Sequence, residues 1–269
     1  MRAEHNSSGF RLNSCGGTVK GKPQRRWEML VFSLAVGIGI CYGIPMAGML
    51  LLRRRGKGIG KAFAIGAAAF VVSQLLIRVP ILQFVLPNFT WFIVLQMDPW
   101  AYGLFLGLTV GLAEETARWI AMAVFLKGQC SLEQGLAFGL GHGGIEAMLL
   151  IGPNMMAGMG MVLMGQSAMF PADEGSVLVS GAERIFAFVF HVGASLLVMH
   201  GVGKRRAFPY WALTLALHAV LDAAVVILPG VFGVGGLWIE LYAAVLGGLT
   251  LCLGLLAWRI WPGAGRFFR

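Results

Sequence analysis

Charge is what this sequence lacks most. Only 12% of its 269 residues are charged, whereas 58% are hydrophobic. Soluble domains carry about 25% charged residues. Several apolar runs reach the roughly 20 residues that a helix needs to cross a hydrocarbon core of about 30 Å. The composition therefore excludes an ordinary soluble domain and predicts an all-α, polytopic transmembrane helical bundle.

Cysteine is also scarce, and its spacing shows no pattern. The chain has four cysteines, which lie far apart and include no C-x-x-C pair: Cys15, Cys41, Cys130 and Cys252. This spacing disfavours both a disulfide framework and a cysteine-ligated zinc site. The chain also lacks alternating basic and aromatic residues of the kind that bind nucleic acid. Its net charge of +9 is better explained by basic loops on the cytoplasmic side of a membrane.

Basic residues occur in alternate loops. Lys and Arg occur in the segments 53–61, 127, 204–206 and 259–269. The segments that alternate with these contain neither: 83–100, 152–176 and 229–236. This alternation predicts seven spans, or eight if the apolar stretch at 89–97 or 153–168 also crosses. The positive-inside rule places the C-terminus in the cytoplasm. We expect the chain to lie in a bacterial cytoplasmic membrane.

The predicted organisation is one membrane domain with two tails. Residues 1–28 are polar and basic, which predicts a disordered tail, although a translation start at Met29 is the alternative interpretation. Residues 29–262 form the predicted transmembrane helical domain, and residues 263–269 form a basic C-terminal tail. The Met- and Gly-rich segment 152–169 is predicted to be an adaptable apolar loop or an interfacial helix.

Ionisable residues near the middle of four apolar segments carry the functional signal. A charge at the bilayer centre costs about 3 to 15 kcal/mol, so such residues are rare and usually functional. At a rise of about 1.5 Å per residue, position along a span gives depth in the membrane. The ionisable residues of four segments then lie at a similar depth: Glu114 with Glu115, His142 with Glu146, His191, and His218 with Asp222. Agreement in depth among four helices predicts a single convergent site.

Local spacing suggests how these residues pair. His142 and Glu146 are four residues apart, as are His218 and Asp222, so each pair shares a helical face. A carboxylate in that position can hold an imidazole in one tautomer, as it does beside metal-bound histidines. Glu183 falls roughly on the face of His191, two turns away. It is predicted to form a local ion pair at the membrane edge or to line a polar entry path.

Arg118 is spaced to pair with one of the two adjacent glutamates. It follows Glu115 by three residues and Glu114 by four, so one glutamate can be neutralised while the other stays free. Imidazole and carboxylate groups are standard zinc ligands. The same groups can also act without metal, with a carboxylate taking a proton from water. The spacing leaves zinc-dependent and zinc-independent chemistry open.

Three motifs resemble those of the CAAX prenyl protease 2 and bacteriocin-processing superfamily, which read E-E-x-x-x-R, F-x-x-x-H and H-x-x-x-N. Here they are Glu114-Glu115-Thr-Ala-Arg118, Phe138-Gly-Leu-Gly-His142 and His218-Ala-Val-Leu-Asp222. The G-H-G-G-x-E sequence around His142, the S-Q at Gln74 and the extra His191 are similar to the YhfC branch of intramembrane metalloproteases. In this chain Arg118 stands one residue early, and Asp222 replaces asparagine.

The resemblance implies a glutamate-dependent intramembrane endopeptidase that cleaves a membrane protein or peptide. Glu114 would activate water, Arg118 would complete its motif, and His218 with Asp222 would supply a ligand or stabilise the oxyanion. The implied zinc ligands are Glu115, His142, His191 and His218, with Glu146 and Glu183 in support. The motifs identify neither the substrate nor the cleavage position.

Two other functions fit the same residues. In a non-catalytic membrane scaffold, the buried histidines and glutamates would form a polar network that fixes helix packing. In a proton-coupled transporter, they would form a relay across the membrane. The lipid bilayer is the expected environment in each case, and nucleic acid is not an expected partner.

Overall fold

The computed structural model describes residues 22–166 and 170–260, and every regular element within them is helical. The α-helices are α1 Lys22–Ile38, α2 Ile44–Arg53, α3 Ile59–Phe70, α4 Thr90–Leu95, α5 Pro99–Phe125, α6 Leu132–Glu146, α7 Gly152–Leu163, α8 Glu174–Gly203, α9 Ala207–Phe232 and α10 Gly236–Ile260. Four described segments between them are π-helical: Gly39–Gly43, Val71–Arg78, Ile81–Val85 and Ala147–Ile151. The predicted all-α bundle is confirmed.

Long apolar helices dominate the described chain. Six are long and apolar enough to cross a membrane: Trp27–Arg53, Ile59–Asn88, Leu132–Leu163, Glu174–Gly203, Ala207–Phe232 and Gly236–Ile260. Helix α5 has 27 residues and is also long enough, but it carries three buried charged residues in its second half. The chain is therefore a polytopic membrane protein, and α5 turns its charged residues into the bundle.

Three segments bear on the predicted boundaries. Helix α1 begins at Lys22, so residues 22–28 of the predicted tail are helical. Helix α7 lies within the same long apolar segment as α6, Leu132–Leu163, so residues 152–163 are helical where a loop or an interfacial helix was predicted. The six-residue α4 is too short to cross the bilayer. Residues 1–21 and the tail 263–269 lie outside the described residues.

Two of the helices that carry the ionisable residues, α5 and α6, begin at well-formed caps. Asp98 accepts hydrogen bonds from the first amides of α5, and Pro99 supplies the fixed φ that suits a first helical residue. Ser131 and Gln134 form a reciprocal capping box at the start of α6. These caps fix where each helix starts, and therefore the depth of the residues farther along it.

Glycines let α3 and α6 touch backbone to backbone. A Cβ added at Gly66 would lie 2.2 Å from the carbonyl oxygen of Phe138, and one at Gly141 would lie 2.0 Å from the carbonyl oxygen of Phe63. No residue except glycine leaves room for such an approach. The contact brings His142, the neighbour of Gly141, against the helix that leads to Gln74.

Glycines allow the same close contact between backbones at two further helix pairs. At the contact of α6 with α8, a Cβ on Gly139 would lie 2.8 Å from the carbonyl oxygen of His191. At the contact of α5 with α9, a Cβ on Gly107 would lie 2.2 Å from the carbonyl oxygen of Ala219. The helices that bear the ionisable residues are thus held at the shortest distance that backbones allow.

We expect Gly141→Ala to lower the free energy of unfolding by about 1–3 kcal/mol, because the added methyl group meets a backbone atom that moves only with its helix. Gly248→Ala is the matched control, since a Cβ there meets nothing within 4 Å. That change should leave stability unchanged or raise it by up to about 1 kcal/mol. Thermal unfolding in detergent measures both, and equal melting of the two variants contradicts the packing role.

Candidate functional site

The ionisable residues of four helices converge inside the bundle. The ring centroids of His142 and His191 are 4.9 Å apart, and those of His191 and His218 are 5.5 Å apart. Glu114 and Glu115 lie beside them and are at most 3% exposed. One polar cluster therefore joins side chains of α5, α6, α8 and α9.

Glu114 contacts hydrogen-bonding groups that carry no fixed charge. Its Oε1 accepts a 2.6 Å hydrogen bond from Gln74 Nε2, and its Oε2 lies 2.8 Å from His142 Nε2. His218 Nε2 is 3.8 Å from the same Oε2. No guanidinium forms an ion pair with Glu114 in the described parts of the chain. This carboxylate is oriented from two sides and is still available for chemistry.

Glu115 is instead neutralised. Arg118 contacts both of its oxygens, with Nε 2.9 Å from Oε2 and Nη2 3.2 Å from Oε1. His218 Nδ1 lies 2.9 Å from Oε1. Because an ionised carboxylate only accepts, Nδ1 carries the proton of neutral His218 and Nε2 carries the lone pair. Glu115 therefore fixes the tautomer of His218, whose Nε2 is also 3.8 Å from Asp222 Oδ2.

Arg118 also contacts two side chains of helix α8. Its Nη1 donates to Ser195 Oγ at 2.5 Å, and its Nη2 lies 3.1 Å from His191 Nδ1. A guanidinium can only donate, so Nδ1 accepts and the proton of neutral His191 is on Nε2. That nitrogen lies 2.7 Å from Glu146 Oε2. Arg118 is completely buried and links Glu115 on α5 to His191 on α8.

A chain of charges runs from the cluster towards the surface. Arg184 Nη1 donates to Glu146 Oε1 at 2.8 Å and also pairs with Glu183. The Glu183 side chain is 41% exposed. Glu146 thus contacts the histidine cluster, whereas Glu183 lies at the outer end of the chain. Both interpretations of Glu183, as an ion pair and as part of a polar path, stay predictions that fit this placement.

Gln74 and Arg78 are the main residues that sequence reasoning left outside the site. Arg78 Nη1 donates to Gln74 Oε1 at 3.3 Å, so the amide nitrogen of Gln74 is the atom that faces Glu114. Arg78 is itself held by Leu106 O at 2.9 Å and Thr109 Oγ1 at 3.3 Å. The sequence contains one indication that they belong to it, because these two polar residues lie four residues apart in an apolar run. Its partner lies on another helix, which spacing alone does not reveal.

One group in the cluster has the geometry of a metal site. Ligand atoms of Glu114, His142 and His191 all lie within 4.8 Å of one another. The sequence-based set named Glu115 and His218 alongside the two histidines. In the structure, Arg118 contacts both oxygens of Glu115, and the carboxylate of the group is that of Glu114.

A bundle of long apolar helices with a buried glutamate and histidine cluster defines an integral membrane protein with a polar interior site. The chain belongs to the YhfC intramembrane metalloprotease family, whose sequence profile matches residues 40–169 and 155–243. It is 28% identical over 224 residues to "Uncharacterized membrane protein YhfC" of Bacillus subtilis (strain 168), across 74% of this chain and 85% of that protein. No solved structure matches it. The resemblance to the YhfC branch is confirmed.

We expect Arg118→Met to lower the free energy of unfolding by about 3–5 kcal/mol, because Glu115 would remain buried without its counter-charge. Adding Glu115→Gln should recover a substantial part of that loss, since the orphaned charge disappears with it. Thermal unfolding of the single and double variants in detergent measures the effect. Additive losses from the two changes would show that the ion pair is not the stabilising unit.

Proposed function

We propose that this protein hydrolyses peptide bonds of membrane-embedded substrates with a water molecule activated by Glu114. The observation that carries the proposal is the unequal treatment of two adjacent glutamates. Arg118 neutralises Glu115, whereas Glu114 is held only by an amide and an imidazole. Membership of a family described as intramembrane metalloproteases supports the same class of reaction.

Glu114 would act as the general base and then as the general acid. It takes a proton from water as the oxygen attacks the substrate carbonyl carbon, and it returns that proton to the leaving amine. Gln74 and His142 hold the carboxylate in one orientation during both steps. The burial of the cluster keeps bulk water away, which strengthens each electrostatic contact.

We propose that His218 contacts the substrate beside Glu114. Its Nδ1 is fixed by Glu115, and its Nε2 lies 3.8 Å from both Glu114 Oε2 and Asp222 Oδ2. In neutral His218 that nitrogen carries a lone pair, so it must be protonated before it can donate a hydrogen bond. As an imidazolium whose charge Asp222 balances, it would donate to the carbonyl oxygen on which negative charge develops.

The residues present also fit a divalent cation. With neutral imidazoles, the carboxylates in and around the cluster outnumber the guanidiniums by two: Glu114, Glu115, Glu146, Glu183 and Asp222 against Arg78, Arg118 and Arg184. In addition, the buried His142 Nδ1 has no hydrogen-bond partner among the described residues. We propose zinc, held by His142 and His191 beside Glu114, which stays the base; binding would displace the proton assigned to His191 Nε2. A bound zinc lowers the pKa of a coordinated water to about 7.

We expect Glu114→Gln to abolish cleavage while the protein still folds, because the amide keeps the shape of the side chain but cannot accept the proton. Purified protein in liposomes is incubated with membrane proteins from a strain that lacks it, and new termini are mapped by mass spectrometry. Glu174→Gln, in the first turn of α8, is the charge-matched control and should cut normally. Identical termini from the Glu114→Gln protein would show that Glu114 is not the base, and no new termini from wild type would favour a non-catalytic scaffold.

We expect purified protein to carry about one zinc per chain, and the double variant His142→Ala with His191→Ala to lose it. His200→Gln is the control, because His200 is also buried but packs against Tyr210 and Trp258 outside the cluster. Elemental analysis by mass spectrometry gives the stoichiometry. Cleavage by zinc-free wild-type protein would mean that Glu114 acts on water without metal.

A further inference from the structure

Two cavities adjoin at the end of the bundle where α5 ends and α8 turns into α9. Their volumes are about 550 Å³ and 580 Å³, and Ala123, Val202 and Arg205 line both of them. Neither cavity includes a residue of the glutamate and histidine cluster. The fold therefore contains a second concave region, which the proposed hydrolysis does not use.

Three cations border this double cavity. Arg205 and Arg206 line the first cavity, and Lys127 lines the second together with Arg205. All three side chains are exposed, and none forms an ion pair within residues 22–166 and 170–260. Like charges held close together without an acidic partner attract an anion.

The start of α9 adds to the positive potential. Its N-terminal residue Ala207 lines the first cavity, and no side chain caps the helix at Arg206. The first amides of a helix point outward and carry a partial positive charge. This contribution is secondary to the three cations, but it has the same sign.

An aromatic wall borders the first cavity. Trp119, Phe208 and Pro209 line it. Trp211 braces the wall, with ring centroids 5.7 Å from Trp119 and 5.5 Å from Phe208. Tryptophans cluster where the hydrocarbon core meets the headgroups. The double cavity therefore combines a cationic rim with an apolar wall at the level of lipid headgroups.

We infer that this double cavity binds an anionic glycerophospholipid. The phosphate contacts Lys127, Arg205 and Arg206, and an acyl chain lies along Trp119 and Phe208. Basic pockets between transmembrane helices are known to hold anionic headgroups. A soluble phosphate would use the cations but would have no reason to select a cavity with an aromatic wall. The inference is independent of the proposed peptidase activity.

The test compares two triple variants that remove the same charge. Lys127→Gln, Arg205→Gln and Arg206→Gln are combined in one protein, and Arg53→Gln, Arg54→Gln and Arg55→Gln in the other. The second set lies in another basic loop and lines neither cavity. Native mass spectrometry measures how tightly each full-length protein retains phosphatidylglycerol, with phosphatidylcholine of the same acyl chains as the neutral reference.

We expect the cavity variant to bind phosphatidylglycerol about 10- to 100-fold more weakly than wild type, whereas the loop variant should change by about threefold or less. Equal losses in both variants, or equal retention of the two lipids by wild type, overturn the inference. Inorganic phosphate should not displace the bound lipid at millimolar concentration. Full displacement would make this a site for soluble anions and overturn the lipid assignment.

A second measurement leaves the cations in place. Phosphatidylglycerol brominated in its acyl chains should quench tryptophan fluorescence more than brominated phosphatidylcholine does, because Trp119 and Trp211 lie beside the bound chain. The difference should shrink markedly in Trp119→Phe, which keeps an aromatic wall. An unchanged difference in that variant rules out the acyl-chain placement.

Discussion

The buried ion pair between Arg118 and Glu115 is the interaction on which the rest of the site depends. Removing two charges from water is costly, and the cost is recovered only when every donor and acceptor is matched. Here the matching partners are on other helices: Ser195 and His191 on α8 bind the guanidinium, and His218 on α9 binds the carboxylate. Satisfying one ion pair therefore fixes the relative positions of three helices.

The ion pair also distinguishes two adjacent glutamates by their partners. Arg118 contacts both oxygens of Glu115, so the charge of this carboxylate is neutralised within the fold. Glu114, one residue earlier, turns towards Gln74 and His142. A rotation of about 100° per residue around the helix axis is enough to separate the carboxylate that pairs with Arg118 from the one proposed as the base. The two adjacent glutamates thus have different partners.

Sequence reasoning recovered the fold class, the family and the convergence of Glu114, His142 and His191, because each follows from depth or from motif. It did not recover the partners that lie across helix contacts. Whether Arg118 takes Glu114 or Glu115 depends on how α5 is rotated against α8, and helical spacing allows both. Gln74 sits in a π-helical turn, which shifts its direction relative to a regular helix. Rotations of this kind are set by packing, which a single sequence does not display.

The glycine contacts have a consequence for motion. Where Gly66 and Gly141 join α3 to α6, and where Gly107 joins α5 to α9, no flexible side chain lies between the backbones to absorb a displacement. Packed interfaces of this type do not deform gradually. Each pair should therefore move as one rigid body. A displacement that admits a large molecule to the interior would therefore have to occur between helices that contact each other only through side chains.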